Sequence, residues 1–498
     1  MGHRSVDLTD ANCVDPLLAS SPVVTERGHS GSSASCEVQS AVRSMVSAAT
    51  QMASDAVLES KSKSDLESDS ELAMLAAATP AIVEFVTHPV SLSAPISTIV
   101  SNSKPGADKK SFVDAPALPT QLGPRNIRFD FNDGCRVVLP AGDWQVVLRD
   151  TATDNILFET NIGAGCIASS KKYYVPFSID VTSEGASVFH HDFDLREKRV
   201  LIQFPVGTLG DLVGWFPYAV KFQAEHGCEL TCSMSELIAP MFRACYPGIT
   251  FVTPEKLDVD TFYATYRIGL FFDDAAKIHQ PCDFRLVGLH RTAGYILGVD
   301  PEEAAPAIHL EDDSRPIPER YVCIATQSST QSKYWNHPSG WRDIVAFLKS
   351  HGYRVICIDQ KATHGHGLVW NHIPHGCEDE TGDRPLTERA RWLKHADFFL
   401  GLSSGLSWLA WAMHTPVVMI SGFTHPSNEF ATPFRVINYH TCNSCWNDPH
   451  VRFDHKDFLW CPRHANTPRQ FECTRLITPQ QVKSTIKKIP IFLEKTGA

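Results

Sequence analysis

The stretch 199-RVLIQFPVGTLGDLVGWFPYAVKFQAEHGCELTCSM-234 reads as strand, glycine-rich turn, helix and strand. The apolar run VLIQFP is a buried strand ending at Gly207. The turn 207-GTLGD-211 then opens a helix that carries Leu212, Val213, Trp215, Phe216, Ala219, Val220 and Phe222. This is a βαβ unit, and a site in such a sheet lies at the carboxyl ends of its strands, where Asp211 falls. On residues alone the plainer reading of Asp211 is a helix-capping carboxylate in the first turn.

The same pattern recurs downstream. In 316-PIPERYVCIATQSSTQSKYWNHPSGWRDIVAFLKSHGYRVICID-359, YVCIAT is a strand, GWRDIVAFLKSHG a helix with a glycine cap, and YRVICID the next strand. The loop between them offers Ser328, Ser329 and Thr330 hydroxyls and the Lys333 ammonium, a set suited to a diphosphate but common in any surface loop. In 389-RARWLKHADFFLGLSSGLSWLAWAMHTPVVMISG-422 the turn Ser403-Ser404-Gly405 puts small residues and bare N–H groups at a helix start, again an anion-binding geometry. Trp408 and Trp411 on that helix read as core. The expected fold class is α/β, with two Rossmann-like halves.

Upstream, 126-NIRFDFNDGCRVVLPAGDWQVVLRDTATDNILFETNI-162 alternates apolar and polar residues between turn signals at Asn132-Asp133-Gly134, Ala141-Gly142-Asp143 and Thr153-Asp154-Asn155. With strand-like pieces at 172–181 and 186–194, this predicts a small antiparallel β-domain over 120–195, a sandwich or barrel. It could hold an acceptor or serve as a packing module. Residues 1–115 contain no aromatic before Phe85 and carry 14 acidic against 8 basic residues. So little apolar area cannot offset chain entropy, so disorder is expected, with one amphipathic helix at 39–60. A leader, a docking arm or an extension without a specific role all fit such a segment.

The bulk composition narrows the function class. A chain of 498 residues suggests about three units. A net charge of -11 argues against a nucleic-acid binder, which needs a basic face. The most apolar early run, 74–86, is interrupted by Pro80 and Glu84 and is too short to span a bilayer. With 15 cysteines and no apolar leader, the chain is expected in a reducing compartment, where clustered thiols bind metal. One cluster exists: 435-RVINYHTCNSCWNDPHVRFDHKDFLWCPRHANTPRQFECTR-475 places Cys442 and Cys445 as a C-x-x-C knuckle, followed by Cys461 and Cys473. Two thiolates from one tight turn and two later ones can close a tetrahedron on one ion. Scattered buried thiols are the plainer alternative. Iron and zinc both accept four sulfurs, and one of the nearby His440, His450, His455 and His464 could ligate in place of a cysteine.

The segments 207-GTLGDLVGWFPYAV-220, 326-TQSSTQSKYW-335 and 399-FLGLSSGLSWLAWAMHTPVVMISG-422 resemble the ADP-heptose glycosyltransferases of the GT-B fold. The segment His440-Thr441-Cys442-Asn443-Ser444-Cys445, with Cys461 and Cys473 following, resembles the cysteine-clamped iron finger of the bacterial autotransporter heptosyltransferases. The resemblance covers about 120–498. It implies a GT-B glycosyltransferase with a β-domain at 120–195, an acceptor-side half at 196–315 and a nucleotide-sugar half at 316–434. A four-cysteine metal finger at 435–475 and a C-terminal helix at 476–498 complete it.

The resemblance also implies roles. Asp211 matches a general base, and Ser328, Ser329 and Lys333 match the loop holding the donor diphosphate. Ser403, Ser404 and Gly405 match a second phosphate-facing turn. In lipopolysaccharide heptosyltransferases that turn typically reads Asp-Thr-Gly, with a His further along the helix. Here Ser403 replaces the Asp and Trp408 stands at the His position, which favours the protein-modifying branch and speaks against a Mg²⁺ requirement. The implied reaction is inverting transfer of heptose from ADP-heptose to Ser or Thr of an autotransporter adhesin or similar surface protein. Another nucleotide sugar, or an inactive GT-B scaffold used as a secreted effector, are the alternatives. One structural metal ion per chain, iron rather than zinc, and a large homo-oligomer are implied, with no nucleic acid and no membrane span. The expected location is the bacterial cytoplasm, with secretion through the N-terminal extension as the alternative.

Overall fold

In the computed structural model, residues 85–88, 112–205 and 208–496 are described; the expected helix at 39–60 and the turn residue Gly207 lie outside the described residues. The strand Arg199–Gln203 buries Val200, Leu201 and Ile202 on both faces, as a continuous apolar run in a parallel sheet should. It leads into the helix Leu209–His226, which ends at Gly227 with φ +61, its N–H on the Gln223 carbonyl. That left-handed position favours glycine and stops the helix. The next strand, Glu229–Ser233, returns parallel, with Val200 opposite Leu230.

The first sheet has nine strands. Its parallel part runs Thr250–Val252, Glu229–Ser233, Arg199–Gln203, Ala264–Arg267 and Arg128–Asn132. Arg136–Leu139, Gly165–Ser169 and Phe85–His88 then continue it antiparallel. The strands expected to form a separate β-domain over 120–195 are therefore divided. Some extend the Rossmann-like sheet, and the rest form a four-stranded antiparallel sheet of Asn155–Ile162, Trp144–Asp150, Phe177–Ser183 and Ala186–Asp192. The fusion is stitched by buried polar groups: Asn132 Nδ2 donates to the Phe262 carbonyl at 2.8 Å, and the Thr265 hydroxyl donates to Asn132 Oδ1 at 2.7 Å. Val146, Leu148, Ile179 and Val181 of the second layer share one core with Phe129, Phe131 and Val137 of the first. Phe85–His88 pairs although it lies in the segment expected to be disordered, and the Val113 backbone already exchanges two hydrogen bonds with the Gln203 side chain.

The second sheet is wholly parallel, in the order Glu378–Asp379, Arg354–Cys357, Tyr321–Ile324, Phe399–Leu402, Val417–Ile420 and Arg435–Val436. By order of appearance this is 3-2-1-4-5-6, the doubly wound arrangement, whose crevice opens between Tyr321–Ile324 and Phe399–Leu402. Both loops singled out as anion sites leave the carboxyl ends of those two strands. The tail expected as one helix over 476–498 is two, Pro479–Ile486 and Pro490–Thr496. Pro490 lacks the N–H that a continuous helix would need. Their apolar faces, with Val482, Ile486, Ile489 and Phe492, cover the second sheet. A hairpin of Thr363–His366 and Val369–His372 goes beyond the expected elements, and its tip leaves Leu368 fully exposed and Trp370 largely so. Among the described residues no helix is long and apolar enough to cross a membrane.

Candidate active site and cysteine finger

Asp211 sits in the first turn of the Leu209–His226 helix, directly beyond the Arg199–Gln203 strand end. The Thr208 side chain makes no capping bond to the helix backbone; its hydroxyl donates to the Asp211 carboxylate instead. The Asp211 carboxylate therefore engages a side chain here rather than closing a reciprocal capping box. Burial pushes its pKa above the ordinary carboxylate range, opposed by the Thr208 hydroxyl and the Lys333 ammonium. The two halves meet here through glycines. A Cβ on Gly210 would stand 2.7 Å from Trp408 Cδ1 and 3.3 Å from the Gly405 Cα, and one on Gly405 would stand 2.9 Å from Leu209 Cβ. The bare backbones let two helix starts, one carrying Asp211 and the other Ser404-Gly405, approach each other. Trp408 is buried between Gly210, Gly214 and His290, a packing residue as expected.

The loop expected to hold the donor diphosphate follows Tyr321–Ile324. Ser328 is half-buried and Ser329 exposed. Lys333 closes a short 3-10 turn, Gln331–Lys333, and its ammonium lies 5.5 Å from the Phe423 ring and 5.6 Å from the Trp446 ring. Burial lowers its pKa, while Asp211 and Glu429 pull it back up. A cation and a carboxylate whose pKa values are both shifted by burial and by each other are typical of working sites.

The Ser403-Ser404-Gly405 turn differs from expectation at its first residue. The Ser403 hydroxyl donates to the Glu429 carboxylate, which pairs with Arg435 at 3.0 Å in a nearly inaccessible ion pair. Ser403 thus faces inward, and only its backbone remains for a ligand. Ser404 Oγ is buried without a hydrogen-bond partner among the described residues, as is Arg435 Nη2, while Arg435 Nη1 meets Glu429 Oε2 as an ion pair without hydrogen-bond geometry. Gly405 opens the Gly405–Ala412 helix. Glu429 and Arg435 escape a reading of the sequence because they occupy an aperiodic loop and a two-residue strand.

The finger docks on the end of the Val417–Ile420 strand. Ser444 N–H donates to the Gly422 carbonyl at 2.8 Å, and Trp446 N–H to the Phe423 carbonyl at 3.1 Å. A Cβ on Gly422 would collide with the Cys473 carbonyl oxygen, so the clamp and the strand end touch backbone to backbone. Cys445 and Cys473 are buried, Cys442 and Cys461 half-buried. Burial, the Glu472 carboxylate and the neighbouring thiols push the Cys442 thiol up to about 12, and burial and the other three thiols raise Cys473. Four cysteines whose thiols act on one another's charge are a donor set chemically suited to a metal.

Among the described residues, the ligand atoms that lie within 4.8 Å of one another are those of Cys442, His464 and Glu472, so of the four expected cysteines Cys442 alone belongs to this group. Glu472 is already committed: Arg469 donates to both of its oxygens at 2.7 Å, and the Cys442 N–H donates at 3.1 Å. Arg469 chiefly holds its pKa down at about 2. It acts as an anchor for the Cys442 turn. His464 is half-buried beside it, whereas His440, His450 and His455 are exposed.

Residues 123–185 match the N-terminal domain of glycosyltransferase TibC, and residues 295–454 match glycosyltransferase family 9 (heptosyltransferase). The chain is 56% identical over 388 residues to the autotransporter heptosyltransferase BAHTCr of Citrobacter rodentium strain ICC168, covering 78% of this chain and 94% of that relative. It is 51% identical over 387 residues to BimC of Burkholderia thailandensis strain E264, described as an inactive autotransporter heptosyltransferase, covering 77% of this chain and 91% of BimC. Among solved structures it is similar to the dodecameric iron-containing heptosyltransferase TibC in complex with ADP-D-β-D-heptose. The TM-score is 0.73 at 55% identity, over 76% of this chain and 99% of that one. Two Rossmann-like sheets meeting at Asp211, a TibC-type N-terminal region and a heptosyltransferase domain together mark a GT-B glycosyltransferase, and the chain belongs to the autotransporter heptosyltransferase family.

Proposed function

We propose that this chain transfers heptose from ADP-heptose to serine or threonine hydroxyls of a bacterial autotransporter or similar surface protein, with inversion at the anomeric carbon. The observation that carries the reading is the approach of two helix starts through Gly210 and Gly405, one bearing Asp211 and the other Ser404-Gly405, with the Lys333 ammonium near enough to act on the Asp211 charge. The acceptor oxygen attacks the anomeric carbon while Asp211 takes its proton. The bond from that carbon to the β-phosphate oxygen breaks, and ADP leaves with the electron pair. A carboxylate held above its usual pKa is a better base than an exposed one. Lys333, Ser328, Ser329 and the Ser404-Gly405 helix start meet the charge that grows on ADP. With that charge met by protein groups, the reaction needs no Mg²⁺. A single displacement inverts the centre.

Cys442, Cys445, Cys461 and Cys473 would hold one iron ion per chain, a structural staple with no open position when four thiolates surround it. The iron-containing dodecameric relative supports both the metal and a large homo-oligomer. The described cysteines are all free thiols, which supports a cytoplasmic setting. Purified protein should be red-brown with thiolate-to-iron absorption; a colourless preparation with stoichiometric zinc refutes iron.

Asp211→Ala should abolish transfer from ADP-heptose to an autotransporter acceptor while ADP binding persists. Retained turnover sinks the base assignment. The relative described as inactive, at 51% identity, supports a second reading as a non-catalytic scaffold. Absence of both transfer and hydrolysis with ADP-heptose in the wild-type protein would select it. A thermal-shift panel of nucleotide sugars separates heptose from other donors.

A further inference from the structure

The finger grips the donor loop at three points. The Phe458 carbonyl accepts from the Gln331 N–H and from the Thr330 hydroxyl, both at 2.9 Å. Thr474, beside Cys473, accepts from the Asn336 amide at 2.8 Å. Lys333 lies between these bonded residues in the chain, and its ammonium stands 5.6 Å from the ring centre of Trp446, the residue after Cys445. Phe423 presents a second ring at 5.5 Å, and the two rings lie 5.7 Å apart.

Trp446 is itself fixed. Its indole N–H donates to Asn428 Oδ1 at 3.1 Å, and its ring packs on Phe453 at 5.2 Å and Phe284 at 6.1 Å. A lysine ammonium on a four-carbon stem has no preferred direction of its own. Two aromatic faces within about 6 Å give it one, because the ring quadrupole attracts the cation.

We propose that Trp446 is a positioning residue for the transfer reaction: its indole face, with that of Phe423, sets where the Lys333 ammonium stands, so the cysteine finger shapes the donor-diphosphate site. The proposal rests on the reading of Lys333 as the donor-diphosphate cation. It assigns the finger a part in donor binding in addition to any part in assembly.

The test is a double-mutant cycle on the full-length, metal-loaded protein, with ADP and adenosine affinities measured by calorimetry. Lys333→Met should weaken ADP about 10-fold or more. Trp446→Leu should weaken ADP by roughly 3- to 30-fold, leave adenosine unchanged, and add nothing in the Lys333→Met background. Trp446→Phe, which keeps a ring face, should stay within about 3-fold of wild type. Equal losses for ADP and adenosine, or the same loss in both backgrounds, would reduce Trp446 to a packing role and overturn the proposal. If Lys333→Met leaves ADP affinity intact, the reading of Lys333 itself fails, which is a separate result. Should Trp446→Leu not fold, Phe423→Leu closes the same cycle from the opposite ring: a loss confined to ADP and absent without Lys333 supports the proposal, and any other pattern overturns it.

Discussion

The Asp211 cleft and the cysteine finger hold functional side chains by opposite means. In the cleft, parallel strands and the two helices Leu209–His226 and Gly405–Ala412 satisfy their own backbone, and site residues emerge at element ends. In the finger beyond the Arg435–Val436 strand, the regular structure is one 3-10 turn, Cys445–Asn447, and one helical turn, Glu472–Arg475. It is held by Cys445, Trp446, Phe453 and Trp460, packed against Phe284 and Phe423 of the two halves. A strand end needs only the right residue after it. An irregular loop must be tied down before it can place anything, and here the tied loop in turn bonds to Thr330, Gln331 and Asn336.

The largest effect that would sharpen this contrast is at Asp211. Asp211→Asn should lower turnover by about 10²- to 10⁴-fold in a transfer assay, with ADP affinity kept. Its raised pKa puts the acid limb of kcat/KM above the ordinary carboxylate range, and the lowered pKa of Lys333 brings the alkaline limb below the ordinary lysine range. The stability linkage has a definite sign. A carboxyl whose pKa is raised on folding favours the native state as pH falls through that raised value. Asp211→Asn should therefore raise the denaturation midpoint at neutral pH and lose that advantage in acid.

Next in size is Glu429→Ala, which leaves Arg435 buried without its counter-ion. A loss of about 3–5 kcal/mol in denaturant unfolding is expected. An unchanged midpoint would mean that the cleft is held by backbone pairing alone. Gly210→Ala forces a methyl group to 2.7 Å from Trp408, for about 1–3 kcal/mol of overpacking together with lower turnover, since Asp211 is the next residue. The smallest effect belongs to the finger: Thr330→Val removes the hydroxyl bonded to the Phe458 carbonyl and should cost about 1 kcal/mol in ADP binding. A loss as large as that of Glu429→Ala would place the finger among the dominant supports and erase the contrast.

Much of the cleft is legible in the sequence because its signals are local. The buried run 200–205, the glycine turn and the Gly227 cap all lie within one βαβ unit, and Asp211 falls at its strand end. Ser404 and Gly405 are legible for the same reason. The turn pattern does not announce that Glu429, 26 residues away, takes the Ser403 hydroxyl. The hairpin at 363–372 carries one turn signal, Gly367 at φ +61, in a segment otherwise rich in histidine and without alternation. Lys333 stands out as a cation in a loop, but nothing near it in the chain announces Phe423 or Trp446.

By itself the sequence determined the βαβ periodicity, the residues that follow each strand, and the spacing of the four cysteines. These depend on backbone geometry over a few turns. The tertiary structure decided that Arg128–Asn132 joins the Rossmann-like sheet, that Gly210 and Gly405 let two helix starts approach, and that Trp446 stands under Lys333. Each of these is a contact between segments more than 100 residues apart in the chain. Such contacts depend on which surfaces are buried together, and no local pattern in the chain encodes that.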